Sequence, residues 1–287
     1  SETIIRPRSG FPCDVVYCPD GEHVVAAGYG GPKKWNLHSG KTILSMPDRD
    51  DQTIKALPGS SFTWALAASS DGGMVVAGGR NLITLWKTEV ADIRDGKPIA
   101  KQLWQFETYE DRRMQATHVA FRSDGERIAT TWRNWNSQSD EPHVIEIRHA
   151  STGEVIQRIE GGGSGLAFSP DGKYIASAAQ PGSPEVALWD SETGKLRLKL
   201  TGHAHAINEL AFSPNGTYLA SADKAGVLRI WQLPLGEQIR VLQGHFGGVT
   251  DLAFDPQGTY LASICPKTPS ELIIWDLSGL DEGGAKE

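Results

Sequence analysis

Short runs of apolar, β-favouring residues recur along the chain, and six of them end in a glycine-containing turn that leads straight into a second apolar run. The turns are Cys18-Pro19-Asp20-Gly21, Ser69-Ser70-Asp71-Gly72, Arg122-Ser123-Asp124-Gly125, Ser169-Pro170-Asp171-Gly172, Ser213-Pro214-Asn215-Gly216 and Asp255-Pro256-Gln257-Gly258. Glycine supplies the positive φ of a tight hairpin, proline pre-sets the turn, and aspartate or asparagine tolerates it. Successive turn glycines lie 51, 53, 47, 44 and 42 residues apart, so the hairpins belong to a repeat. A third run follows in each copy, closing on Trp35, Trp86, Trp189, Trp231 or Trp275, with Arg148 in that place in the third copy. A fourth run is clearest at Lys195–Leu200 and Glu237–Leu242. The pattern predicts an all-β chain of four-stranded units. Each is too small to bury its own faces, so the units must stack and curve until few edges stay open.

Two pairs of residues sharpen the repeat. Gly202-His203 and Gly244-His245 open units, and Trp189-Asp190 and Trp275-Asp276 close them. With a unit length near the family's period of ~40–45 residues, the chain resembles the WD-repeat (WD40) β-propellers over nearly its whole length, and best from Gly163 to Asp276. The resemblance implies a single propeller over residues 1–287, with blades at about 11–46, 62–106, 115–160, 163–200, 205–243 and 247–276. The last unit shows only three strands before the tail Leu277–Glu287. The N-terminal Thr3–Arg8, followed by Ser9-Gly10-Phe11, resembles Ile239–Leu242 followed by Gln243-Gly244-His245. It is therefore expected to supply the missing outer strand and close a ring of six blades; seven, the family's commoner number, is the alternative.

The same resemblance implies a buried polar network in each blade, joining a repeat histidine, a strand serine, the tryptophan indole and a turn aspartate. His203, Ser221 and Trp231 match it in the fifth unit, and His245, Ser263 and Trp275 in the sixth. The residue before Gly226 is Ala225 rather than aspartate, so the fifth network is expected to be incomplete, and Cys265–Ser270 replaces the usual turn of the sixth. These histidines and tryptophans are read as structural.

Composition narrows the function. Hydrophobic residues make up 39% and charged residues 22%, with a net charge of −7; this fits a soluble globular protein and argues against a duplex nucleic-acid partner, which needs a clustered positive surface. No apolar run is long enough for a membrane helix. Three cysteines, Cys13, Cys18 and Cys265, are too few for a disulfide framework, which points to a reducing, cytoplasmic setting. Walker, dinucleotide, Cys-x-x-Cys, His-Glu-x-x-His and Gly-x-Ser-x-Gly patterns are lacking, and Gly161-Gly162-Gly163-Ser164-Gly165 precedes a strand instead of a helix. No catalytic residue, metal or cofactor is therefore assigned, and the chain is read as a non-enzymatic scaffold for a protein or peptide partner. A sensing domain of a longer signalling protein is the second reading, favoured by the missing initiator Met, and a channel-centred enzyme the third.

Two surfaces are candidates for the partner. Trp64, Arg112, Arg113, Trp132, Arg133 and Trp135 cluster in the irregular loops of the second and third units, and tryptophan and arginine are enriched at binding hot spots. Alignment on the first strands puts Asp14, Ala65, His118, Gly165, Glu209 and Asp251 at one equivalent position. The acids Asp14, Glu209 and Asp251 suit a Lys- or Arg-containing peptide.

Overall fold

The structure, a computed structural model, describes residues 14–18, 20–27, 32–39, 41–46, 63–79, 82–94, 97–107, 114–134, 143–266 and 271–280. The described residues are all strand and turn, and they hold no helix long and apolar enough to cross a membrane. Two compact units divide the chain, residues 1–158 and 159–287.

In the first unit, strands pair in chain order within three sets. The first set is β1 (Asp14–Tyr17), β2 (His23–Ala27), β3 (Lys33–Asn36) and β4 (Thr42–Ser45). The second is β5 (Thr63–Ala68), β6 (Met74–Gly79), β7 (Leu82–Arg94) and β8 (Lys97–Glu107). The third is β9 (Met114–Phe121), β10 (Arg127–Asn134), β11 (Val144–His149) and β12 (Val155–Glu160), whose last strand crosses the unit boundary. The β7–β8 hairpin is longer than the sequence suggests, and its extension makes one parallel bridge, Ser45 to Ile99, which fuses the first two sets into an eight-stranded sheet.

The second unit holds the most regular repeats. They are β13 (Leu166–Phe168), β14 (Tyr174–Ala178), β15 (Val186–Asp190) and β16 (Leu196–Leu200), then β17 (Ile207–Phe212), β18 (Tyr218–Asp223), β19 (Val227–Gln232) and β20 (Glu237–Gln243). The final set has three strands among the described residues, β21 (Asp251–Phe254), β22 (Tyr260–Cys265) and β23 (Glu271–Asp276). Thr3–Arg8 lies outside the described residues.

All six glycine turns form as expected. The turn glycines have φ between 67° and 74°, and each closes the same hairpin, as where Gly172 N–H donates to Ser169 O and Ser169 N–H to Tyr174 O. In three turns the first-position serine donates to the third residue: Ser69 to Asp71, Ser169 to Asp171 and Ser213 to Asn215. The Ser69 hydroxyl, followed by the Gly73 amide, holds the Asp71 carboxyl below its ordinary value.

Cores form between successive sets rather than within them. Val25, Leu44, Met46, Leu66, Val75 and Trp86 fill the first gap of the first unit, and Ala176, Leu188, Leu200, Ile207, Leu219 and Trp231 the first gap of the second. Middle strands covered on both faces are buried throughout, as all six residues of β18 are. Outer strands such as β16 and β20 stay largely exposed.

Candidate functional site

Register explains which tryptophans find a polar partner. Trp189 pairs with Ile175, Trp231 with Leu219 and Trp275 with Leu261, and two residues further along each inner strand comes a serine. The indole Nε1–H then donates to that hydroxyl: Trp189 to Ser177 at 2.9 Å, Trp231 to Ser221 at 2.8 Å and Trp275 to Ser263 at 2.8 Å. In the first two sets the same position is Ala26 or Ala77, and the buried Nε1 atoms of Trp35 and Trp86 have no partner among the described residues.

In the third set Arg148 pairs with Ile128, the register Trp189 has with Ile175. Its guanidinium, 1% exposed, donates to Glu146 at 2.5 Å and to Gly153 O at 2.8 Å and lies 3.9 Å from the Phe106 ring centroid. Glu146, itself 3% exposed, also receives Arg158 Nε at 3.0 Å. A buried ion pair thus occupies the tryptophan's place.

The fifth set extends the tryptophan–serine pair into a chain of four. His203 Nε2 lies 2.7 Å from Ser221 Oγ, and its Nδ1 lies 3.0 Å from Asp223 Oδ2. The expectation that Ala225 leaves this network incomplete is corrected: the carboxylate comes from Asp223, two residues earlier, at the end of β18. Its other oxygen accepts the Ala225 and Val227 amides. In the sixth set Glu271 takes the carboxylate's part, 3.2 Å from His245 Nδ1, while Nε2 lies 2.6 Å from Ser263 Oγ. Burial pushes the His203 imidazole below its ordinary value despite Asp223. The neutral ring therefore donates from Nδ1 to Asp223 and accepts from Ser221 at Nε2.

A serine, histidine and carboxylate in this order match the connectivity of a hydrolytic triad. Ser221 and Ser263 are each 0% exposed, and each Oγ already accepts an indole N–H. No substrate carbonyl can reach either oxygen, so the chain of bonds ties strands together and does not attack.

The first-strand position aligns as the sequence suggests. Asp14 pairs with Ala27, Ala65 with Gly78, His118 with Thr131, Glu209 with Ala222 and Asp251 with Ile264. His118 Nδ1 approaches Thr117 Oγ1 at 3.2 Å and Thr131 Oγ1 at 3.3 Å. Burial lowers the His118 pKa to about 4. Glu209, the third residue of β17, and Asp251, the first of β21, lie on neighbouring strands. Asp14 belongs to the first unit, and its side chain lies outside the described residues.

Of the tryptophan–arginine surface, only Trp132 and Arg133 have side chains among the described residues. Trp132 and Arg133 lie on β10 and not in a loop. Trp132 is 2% exposed and packs with Ala116, Val119 and Ile128, so the accessible recognition role expected for it is corrected to a core role. Arg133 is exposed. Arg112, Arg113 and Trp135 fall outside the described residues, and of Trp64 only its place on β5 is described.

A different aromatic is presented to solvent. Phe246, in Gly244-His245-Phe246-Gly247-Gly248, is 85% exposed. Its loop is seated on the β18–β19 turn, where Gly226 has φ +90° and a Cβ would stand 2.5 Å from Gly247 O. Asn208 Nδ2 donates to Val249 O at 2.9 Å. Exposed Lys224, Thr250 and Asp251 lie at the same end of the strands. A lone aromatic between glycines in an inter-repeat loop was the available signal, and sequence reasoning passed over it because His245 beside it had a structural explanation.

Residues 194–232 and 236–268 match the family described as WD domain, G-beta repeat. Those two segments are similar to WD40 repeats. No curated protein matches the chain. The first match runs from Gly194 through β19, and the second from Gly236 through β22. Both matched segments thus carry the histidine–serine pairs described above. WD40 repeats generally serve as scaffolds for protein–protein interaction.

Proposed function

We propose that this chain is a non-catalytic docking platform that holds a protein or peptide on the loop end of its second unit, with Phe246 as the anchor. One observation carries the reading: a large apolar side chain is 85% exposed on a loop whose backbone is already held by Asn208 and the Gly226 turn. Anchors of this kind bind well because little ordering entropy is lost on association. Glu209 and Asp251 give the neighbourhood negative charge, so the partner segment pairs an apolar or aromatic residue with Lys or Arg. The buried free thiols of Cys18 and Cys265 agree with a reducing, cytoplasmic setting.

Truncation of an interface anchor costs about 2 kcal/mol or more, roughly 30-fold in Kd. Phe246→Ser is therefore expected to lose the partners that the unaltered chain captures from native lysate, at an unchanged melting temperature. Capture of the same proteins in the same amounts by Phe246→Ser would sink the proposal. Trp132→Ala serves as the contrast, lowering the melting temperature because its ring is core.

The same proposal includes six four-stranded blades in one propeller over residues 1–287, with Thr3–Arg8 as the outer strand of the last. Its support is that the last set has three strands among the described residues, β21-β22-β23, where the two sets before it have four. Removal of residues 1–8 is then expected to lower the melting temperature and broaden the unfolding transition. A truncated chain that melts like the full one would favour seven blades or an open array.

A further inference from the structure

Alignment of β22 on β18 through the pairs Leu261–Trp275 and Leu219–Trp231 places Cys265 where the fifth set has Asp223, and Glu271 where it has Val227. The carboxylate has crossed to the neighbouring strand, and a thiol stands in its old position. This exchange does not conserve the local structure: Asp223 caps two turn amides, and a thiol is a weak acceptor for such bonds. Upkeep of the histidine–serine–tryptophan chain therefore accounts for Glu271 and leaves Cys265 unexplained. What the exchange creates is a group of three different donors. A ring nitrogen of His245, Cys265 Sγ and a Glu271 carboxylate oxygen lie within 4.8 Å of one another, and Nδ1 is the nitrogen that faces Glu271, at 3.2 Å.

We propose that His245, Cys265 and Glu271 form a binding site for a divalent cation of the zinc class. A nitrogen, a thiolate and a carboxylate are the donors this borderline-soft ion takes, at ~2.0–2.3 Å, and three protein ligands leave a fourth position for water. Thiolate and carboxylate together neutralise the cation's two charges. The imidazole and thiol are buried, while the Glu271 side chain is 24% exposed, so the open position faces the route to solvent.

The ring is already oriented from behind, because its Nε2 is held by Ser263 at 2.6 Å and Ser263 by Trp275. A second partner on the far nitrogen is the usual support of a metal-bound histidine. On binding, the thiol proton leaves to solvent and the imidazole proton moves from Nδ1 to Nε2, which then donates to Ser263. The serine turns its own hydrogen away, as Ser177 does in donating to Ala178 O. The net release of a proton makes affinity fall as pH is lowered.

The test uses the full chain, reduced and stripped with chelator, titrated with Co2+ and then Zn2+. The expected result is one equivalent of Co2+ bound with a sulfur-to-cobalt charge-transfer band, displaced by Zn2+, and a higher melting temperature in the presence of Zn2+. Cys265→Asp, which places the fifth-set residue at this position, is expected to lose the band and bind on the order of ten-fold or more weakly. A variant with Cys13 and Cys18 replaced by Ala keeps the band. A wild-type chain without a thiolate band, or a band that survives in Cys265→Asp, overturns the proposal. Neither readout depends on Phe246 or on any partner.

Discussion

Replacing Glu146 by Ala is expected to destabilise the chain by about 3–5 kcal/mol, because it strands the buried Arg148 guanidinium without its counter-charge. Arg148 has solvent on no side: it is 1% exposed, stacked on Phe106 and tied to Gly153 O. Arg158 also loses its acceptor, but it is half exposed and rehydrates. The pair itself need not be strongly stabilising, since removing two charges from water costs about as much as their attraction returns. Glu146→Leu combined with Arg148→Met should therefore lie much closer to the parent than Glu146→Ala alone. Urea unfolding of the three proteins reads the difference. A Glu146→Ala chain within about 1 kcal/mol of the parent would show that water reaches this pair, against the geometry.

Asp223→Ala is expected to cost about 2–4 kcal/mol, the sum of a lost charge-assisted bond and two stranded turn amides. Asp223 is 1% exposed and holds three donors, the His203 Nδ1 and the Ala225 and Val227 amides. Asparagine keeps an oxygen for the amides and reorients toward the ring, so Asp223→Asn should recover part of the loss. Chemical denaturation again measures it. Ala and Asn variants of equal stability would assign the effect to the turn's shape rather than to its bonds.

The two sites differ in how far sequence could reach them. Arg148 was placed by counting, because it stands where five other copies have tryptophan. Its partners were not, since Glu146 and Phe106 are joined to it by strand pairing and not by spacing in the repeat. Asp223 was missed for a related reason. Ala225, the residue before the turn glycine, drew attention to the wrong position, whereas the ring nitrogen is reached from the strand end two residues earlier. Trp132 looked like a loop aromatic because Asn134 and Asn136 around it favour turns. In the fold β10 continues to Asn134, and that carries the indole into the core.

Local chemistry therefore determined the hairpins, the repeat and the strand order. Turn glycines at positive φ and a two-residue alternation act within a few residues, so any fold of this chain must honour them. Tertiary structure decided which side chains face water and which donors meet. Burial of Trp132, exposure of Phe246 and the meeting of His245 with Cys265 and Glu271 each depend on what a neighbouring strand or loop places opposite. Those neighbours lie tens of residues away along the chain, beyond the reach of a local pattern.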